Sequence, residues 1–296
     1  MKKYQIFISV LLSLFSSCSF NEIDVKIPPA DNLLVVNSFF SPNKVWEVSV
    51  NKLTGILNKN DTNTFIENAN VKLFKNGKFE EVLINIKQGI YVSKTGNKPT
   101  VGNMYHIEVT APNYKKTVSS KEKIPKKLTF KSITFERSLN RNKINIDADL
   151  YNYYKDLSYT FSYQFNDFFN DTSCFSIDIT NDFDTEVYPV YSEKIDITKS
   201  LFVASVWGEI KEADKKENYF FLQVKDEQTK ELLCDTINLN LYSFSKSFYK
   251  YFETISAQDF FINYSKPVGI FTNIENGVGI FAGYNSKRYT IIIDEN

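Results

Sequence analysis

Cys18 is the residue of this 296-residue chain whose position points most directly to chemistry. It directly follows the small pair Ser16-Ser17 and an apolar run from Ile6 to Phe15, which begins shortly after two lysines. A charged start, a short apolar segment and small residues at a cleavage point are typical of a secretory signal peptide. A cysteine immediately after that point is where a bacterial lipoprotein signal peptidase would cut and where lipid would be attached.

We therefore predict that residues 1–17 form a signal peptide and that Cys18 carries the lipid anchor. The stretch Phe15-Ser16-Ser17-Cys18 resembles a lipobox, although leucine is usual where Phe15 stands. The apolar run is shorter than the roughly 20 residues that span a bilayer. Stable anchoring takes more than one lipid chain. The alternative is an ordinary secreted protein whose cysteine lies here by chance.

His106 is the one histidine of the sequence. In a strand it shares a face with Met104 and Glu108, which favours a packing or surface role over that of a catalytic base. With one histidine, a multi-histidine zinc site cannot form and a Cys/His zinc cluster lacks ligands. The sequence also has no G-x-S-x-G motif and no glycine-rich phosphate loop. We predict no catalytic residue, no metal and no cofactor, and hence a protein that is not an enzyme.

Paired carboxylates are the main alternative chemistry, because a glycosidase needs only two of them about 5–10 Å apart. Asp147 and Asp149 share a predicted strand face, and Asp178, Asp182 and Asp184 cluster in a loop-like stretch. We interpret both groups as solvated acids. A weak calcium site near Asp182 stays open, although the spacing of a calcium-binding loop is missing.

Aromatic side chains could form a platform on which sugars stack, as in the run that contains Tyr151, Tyr153 and Tyr154. The chain has 26 Phe and 18 Tyr but only 2 Trp, which is the residue most suited to stacking on sugars. Because the core of a β-sandwich itself needs large aromatic residues, we favour core or interface positions for these tyrosines.

The composition indicates an all-β protein and excludes one class of partner. Phe and Tyr favour strands, and aromatic residues make up 16% of the chain. Without the two lysines of the signal peptide, 33 basic residues stand against 35 acidic ones, so no nucleic-acid partner is expected. Besides Cys18 there are two cysteines, Cys174 and Cys234, which either pair or remain buried thiols.

The predicted mature chain has a tether and two β-domains. Residues 18–31 contain Pro28-Pro29 and read as a tether. Residues 32–125 hold about seven short strands, with Asn76-Gly77 as a hairpin turn, and predict an immunoglobulin-like or transthyretin-like sandwich. Three stretches resemble carboxypeptidase-regulatory-like domains: Asn68-Ala69-Asn70-Val71, Gly89-Ile90-Tyr91 and Tyr105-His106-Ile107-Glu108-Val109.

A second, larger β-sandwich is predicted over residues 126–296, after the boundary at Ile124-Pro125. It includes one accessory helix near residues 244–257, capped by Ser243 or Ser245. A further tight hairpin is expected at Asn276-Gly277, between strands at Val268–Thr272 and Val278–Phe281. Two glycines there, Gly279 and Gly283, indicate a close approach of the backbone or a bulge.

Several short motifs run through the whole mature chain. They are Cys18 after the signal, Leu34-Val35-Val36-Asn37, Ile124-Pro125, Asn218-Tyr219-Phe220, Tyr249-Lys250-Tyr251 and the block from Pro267 to Phe281. Together they resemble the Bacteroidetes DUF4249 family of uncharacterised outer-membrane lipoproteins. The resemblance implies no catalytic residues. It implies a place beside TonB-dependent transporters of the outer membrane.

The predicted function is that of a non-enzymatic, lipid-anchored protein of the outer membrane, an accessory or partner of a TonB-dependent transporter. A stand-alone surface lipoprotein that binds glycans or peptides is the first alternative, and a carboxylate-based hydrolase is the second. Acidic residues just after the anchor mark export to the cell surface in some lipoproteins, and Glu22 and Asp24 resemble that signal only weakly. Both the periplasmic face and the cell surface therefore stay open.

Overall fold

The computed structural model describes residues 32–55, 64–136, 158–165, 173–181, 188–190, 205–210, 216–221, 224–226, 231–232, 236–261 and 269–292. Several predicted residues lie outside these ranges: Cys18 and its tether, Asp147, Asp149, the three tyrosines from Tyr151 to Tyr154, Asp182, Asp184 and Cys234. Whether Cys174 pairs with Cys234 is therefore not tested.

The described elements are almost all strands, so the all-β prediction is confirmed. In chain order they begin with β1 Leu34–Phe40, β2 Glu47–Lys52, β3 Asn70–Lys75, β4 Lys78–Lys87, β5 Ile90–Val92, β6 Met104–Thr110, β7 Thr117–Ser119, β8 Glu122–Lys123 and β9 Phe130–Glu136. They continue with β10 Ser158–Phe165, β11 Ser173–Asn181, β12 Tyr188–Val190, β13 Ser205–Ile210, β14 Lys216–Phe221, β15 Val224–Asp226, β16 Glu231–Leu232, β17 Thr236–Phe244, α1 Lys246–Phe261, β18 Ile274–Glu275 and β19 Gly277–Ile292.

Within the described residues, one large curled sheet connects thirteen strands. Its order is β13-β11-β17-β19-β1-β2-β5-β4-β3-β6-β7-β18, and β8 pairs with β6. A smaller sheet has the order β12-β14-β10-β9, and β15 pairs with β16. β1 and β19 run parallel, whereas the other described pairs are antiparallel.

The first sandwich forms because β1 to β7 place alternate apolar residues on one face. In β1, for example, Leu34, Val36 and Phe40 are buried. The core also takes in residues of other strands and of the segments beside them, namely Trp46, Val48, Val50, Val71, Leu73, Leu83, Tyr91, Tyr105, Ile107, Val109, Ile124, Ile274 and Phe281. The predicted hairpin is confirmed, since Asn76 and Gly77 both have a positive φ between β3 and β4.

β19 belongs to both sandwiches. Its first half pairs with β1, from Leu34 opposite Gly277 to Phe40 opposite Gly283. Its second half pairs with β17 and ends with Thr236 opposite Ile292. The predicted boundary at residue 125 stays a prediction, and β19 connects the strands that precede and follow it.

The close approaches predicted at the glycines of β19 are confirmed. Gly279 has a φ of +115°, and a Cβ there would lie 2.2 Å from the carbonyl oxygen of Val36. The neighbouring residue of β1, Asn37, accepts a hydrogen bond through its Oδ1 from the Ile280 N–H at 3.1 Å. A Cβ at Gly283 would lie 2.7 Å from the carbonyl oxygen of Lys123. Both positions therefore require glycine for space.

The second predicted hairpin is wrong in its first strand. Residues 269–273 are not a strand, Val268 lies outside the described residues, and the short β18 pairs with β7 instead. The reason is Asn273, whose side chain substitutes for a strand partner of Phe281. Its Oδ1 accepts a hydrogen bond from the Phe281 N–H at 2.9 Å, and its Nδ2 donates to the Phe281 carbonyl at 2.8 Å.

The second sandwich packs β11, β17 and β19 against β9 and β10. Aromatic side chains fill the contact, with ring centroids 4.9 Å apart for Phe165 and Phe175 and 5.0 Å apart for Phe130 and Tyr289. Tyr163 is buried beside them. This packing of two β-sheets is the layered arrangement expected of an all-β domain.

The predicted helix is confirmed, and it extends four residues beyond its expected end. It begins after Ser245, whose Oγ accepts a hydrogen bond from the Phe248 N–H at 3.3 Å, so Ser245 is the cap. Phe248 packs against Phe244 of β17 at 4.2 Å and against Phe39 of β1 at 5.0 Å. The aromatic face of α1 thus lies on the large sheet, as its spacing predicted.

Candidate functional site

His106 lies in β6 and is half-buried. Its ring stacks on Phe74 of β3, with centroids 4.6 Å apart and planes 11° from parallel. Burial lowers the pKa of His106, with Glu108 raising it and Lys121 and Lys116 lowering it further. This is the packing environment that the strand pattern favoured.

The acids and cysteines that the structure describes are not gathered into a site. Asp178 of β11 accepts a hydrogen bond from the Ser176 hydroxyl at 2.7 Å, and Cys174 is buried beneath α1. Within the described ranges, no group of three His, Cys, Asp or Glu side chains is arranged to hold a metal ion. The same part of the chain contains no helix long and apolar enough to cross a bilayer.

The most unusual surface of the described chain is the outer face of β4. Leu83 points into the core, so its neighbours Val82 and Ile84 point outward together with Ile86, and all three are exposed. β5 extends this apolar face sideways, because Val92 lies opposite Ile84. We call this surface the outer strip, and define it as Phe79, Val82, Ile84 and Ile86 of β4 with Ile90 and Val92 of β5.

The strip reaches the hairpin end of β4 through Phe79, which is 55% exposed. A shift in register between Leu73 and Phe74 brings Phe79 opposite Phe74. Their rings meet edge to face at 6.0 Å, and Phe74 in turn stacks on His106. At this end the outer strip therefore has an aromatic ring packed on its neighbours, whereas its middle is aliphatic.

Charged residues surround the outer strip. Lys72 lies opposite Val82 on β3, and Glu47 lies opposite Val92 on β2. Lys78 and Lys87 stand at the two ends of β4. An apolar centre with a polar and charged rim is the usual anatomy of a surface that binds another macromolecule.

The sequence did contain a signal for this surface. The run Val82-Leu83-Ile84 followed by Ile86 is nearly continuous in apolar residues, which is typical of a strand covered on both faces. In the structure only one of those faces is covered by the described part of the chain. The outer face of β4 is therefore apolar beyond what the fold itself requires.

A comparison with protein-family models gives a match over most of the chain. A family model described as "Domain of unknown function (DUF4249)" matches residues 21–290. No curated protein matches the chain. Among solved structures, a protein of Bacteroides uniformis to which carbohydrate binding is provisionally ascribed is similar over 73% of this chain and 90% of its own, at 10% identity and a TM-score of 0.19. A likeness with so low a TM-score carries no argument.

Proposed function

The chain belongs to the DUF4249 family, and we propose that it is a lipid-anchored, non-enzymatic protein of the outer membrane that works as a partner of a TonB-dependent transporter. The anchor is Cys18, and the contact with the transporter is made through the outer strip. The anchor follows from the signal sequence. The contact rests on one observation, the exposed apolar face of β4 and β5.

The outer strip suits a protein partner because it is mainly aliphatic and lies on a strand that is paired on both sides. β4 is held on one side by β3 and on the other by β5, so little conformational entropy is lost when the strip is covered. Complete burial of a Val or Ile side chain contributes about 1.5–3 kcal/mol, and Val82, Ile84 and Ile86 are 42–55% exposed, so covering all three supplies roughly 2–4 kcal/mol. A glycan site would instead need planar rings with polar groups beside them.

The anchor is tested by metabolic labelling with radioactive palmitate. The full chain should incorporate label, and the Cys18→Ala variant should incorporate none, because the thiol is the only attachment point for lipid in this proposal. Ser17→Ala is the control, since alanine is another small residue and leaves the thiol in place. Equal labelling of wild type and Cys18→Ala would refute the anchor.

The contact is tested with a photo-crosslinking amino acid placed at Ile86 in living cells. We expect an adduct with an integral outer-membrane transporter, identified by mass spectrometry. The additional substitution Ile84→Glu should reduce that adduct by about tenfold or more, because a carboxylate would be buried without a partner.

A second crosslinker position provides the matched control. Val101 is also an exposed aliphatic residue, but it lies in the loop before β6 and outside the outer strip. It should give no adduct with the transporter. Equal adducts from both positions, or an adduct that Ile84→Glu leaves unchanged, would contradict docking through the strip. An adduct with a soluble peptide ligand only would favour the alternative binding function.

A further inference from the structure

One end of the first sandwich is where the described chain begins. Leu34 starts β1 opposite Lys52, the last residue of β2, so the chain enters and β2 ends at the same place. The Asn32 side chain ties this point to the loop after β6, donating from Nδ2 to the Asn113 carbonyl at 2.8 Å. β4 also ends here, at Lys87. Its other end, which carries Phe79, lies beside the hairpin at Asn76-Gly77 at the opposite end of the sandwich. We call this the tether end.

Two exposed apolar side chains project from the tether end, Leu53 at 36% and Phe65 at 39%. Their backbone is well held. The Leu53 N–H donates to the Leu33 carbonyl at 2.9 Å, and the Lys52 N–H donates to the Thr64 carbonyl at 2.8 Å. The backbone of Phe65 forms an isolated antiparallel β-bridge with Asn51. The fold therefore presents a small apolar point directly beside the residue at which the tether joins.

Lysines slightly outnumber carboxylates at the tether end. Three lysines, Lys52, Lys87 and Lys115, lie at this end together with two glutamates, Glu67 and Glu275. A further lysine in the loop after β6, Lys116, pairs with Glu108 at 2.9 Å. Apolar side chains with lysines nearby suit a surface that lies on a bilayer containing anionic phospholipid.

We propose that the tether end rests on the phospholipid surface and orients the protein upright on the membrane. This inference rests on the proposed anchoring at Cys18. The tether of residues 18–31 reaches at most about 50 Å when fully extended, so this end can move no farther than that from the lipid. Holding two surfaces together in this way gives them a high effective concentration, and a contact too weak to form alone becomes populated.

The orientation explains why the outer strip is useful to an anchored protein. The strands of the first sandwich run from the tether end to the hairpin at Asn76-Gly77, and β4 carries the strip along that direction. With the tether end on the lipid, the strip stands roughly along the membrane normal. It then faces neighbours in the plane of the membrane.

The test uses the mature, lipidated full chain with tryptophan placed at one of two positions. Phe65→Trp reports from the tether end, and Phe79→Trp is the matched control from the hairpin end, since both native rings are exposed. Each variant is reconstituted in vesicles of phosphatidylethanolamine with a minority of phosphatidylglycerol, with and without brominated acyl chains. The wild type corrects for the two native tryptophans. Bromine should quench the added tryptophan of Phe65→Trp at least about twofold more than that of Phe79→Trp.

Flotation of the same samples separates the two hypotheses. If the chain floats with the vesicles and both variants are quenched equally, the anchor stands and the membrane contact is overturned. If the chain does not float, the proposed anchoring itself fails. The vesicles contain no other protein, so selective quenching at position 65 can come only from lipid. Selective quenching that also weakens when phosphatidylglycerol is omitted supports the role of the lysines.

Discussion

Alanine at position 279 should lower the free energy of unfolding by about 3 kcal/mol or more, a large part of the roughly 5–15 kcal/mol that stabilises a typical domain. Two effects add. The φ of +115° is strained for a residue with a Cβ, and that Cβ would meet the carbonyl oxygen of Val36 at 2.2 Å. Because the obstacle is backbone, β1 and β19 would have to separate locally, and the hydrogen bond between Asn37 and Ile280 would be lost.

The measurement is urea denaturation of purified Gly279→Ala beside the wild type, with the midpoint and slope fitted separately. Gly269→Ala is the matched control. A Cβ at Gly269 meets no atom within 4 Å, and its φ lies outside the left-handed region, so the same change should alter stability by no more than about 0.5 kcal/mol. Similar midpoints for both variants would refute the requirement for glycine at the junction of β1 and β19.

The local features of the fold could be predicted from the sequence because their causes are local. Asn76-Gly77 has the two residues that best tolerate a positive φ, and the hairpin forms there. Ser245 stands just before an aromatic stripe of helical period, and α1 begins after it. In each case a few neighbouring residues decide the backbone conformation.

The role of β19 could not be predicted in the same way. Its pairing with β1 joins Val36 to Gly279 across almost the whole chain, and no short pattern encodes such a partner. The failed hairpin has a different origin, in a side chain that binds nearby backbone. Asn273 reads as a turn residue, yet its amide binds the Phe281 backbone and takes the place of a strand. A long-range strand pairing decided the first outcome, and side-chain hydrogen bonds across eight residues decided the second.

The outer strip could be predicted from the sequence only in part. The apolar run around Leu83 predicts a strand whichever face is buried. Only the three-dimensional fold shows that Leu83 enters the core while Val82, Ile84 and Ile86 remain outside. The tether end is similar, since Leu53 and Phe65 are separated in sequence by a polar insertion and become neighbours only through the bridge of Phe65 to Asn51.

The second large effect is expected from Phe281→Ala, which should lower the free energy of unfolding by about 3–5 kcal/mol. Phe281 is fully buried, with its ring 4.6 Å from that of Phe40 and stacked 6.1 Å from that of Trp46. Truncation would leave a cavity between strands that are distant in sequence, and the rigid sheet can collapse into it only partly.

Phe79→Ala removes the same atoms from an exposed site and is the control for the loss at Phe281. Its ring touches Phe74 but is 55% open to solvent, so we expect its free energy of unfolding to fall by no more than about 1 kcal/mol. Both variants are measured by urea denaturation with circular dichroism. Because β19 also pairs with β17, the damage at Phe281 should reach the second sandwich and shift a single transition. A transition that splits in two would show instead that the sandwiches unfold independently despite the strand they share.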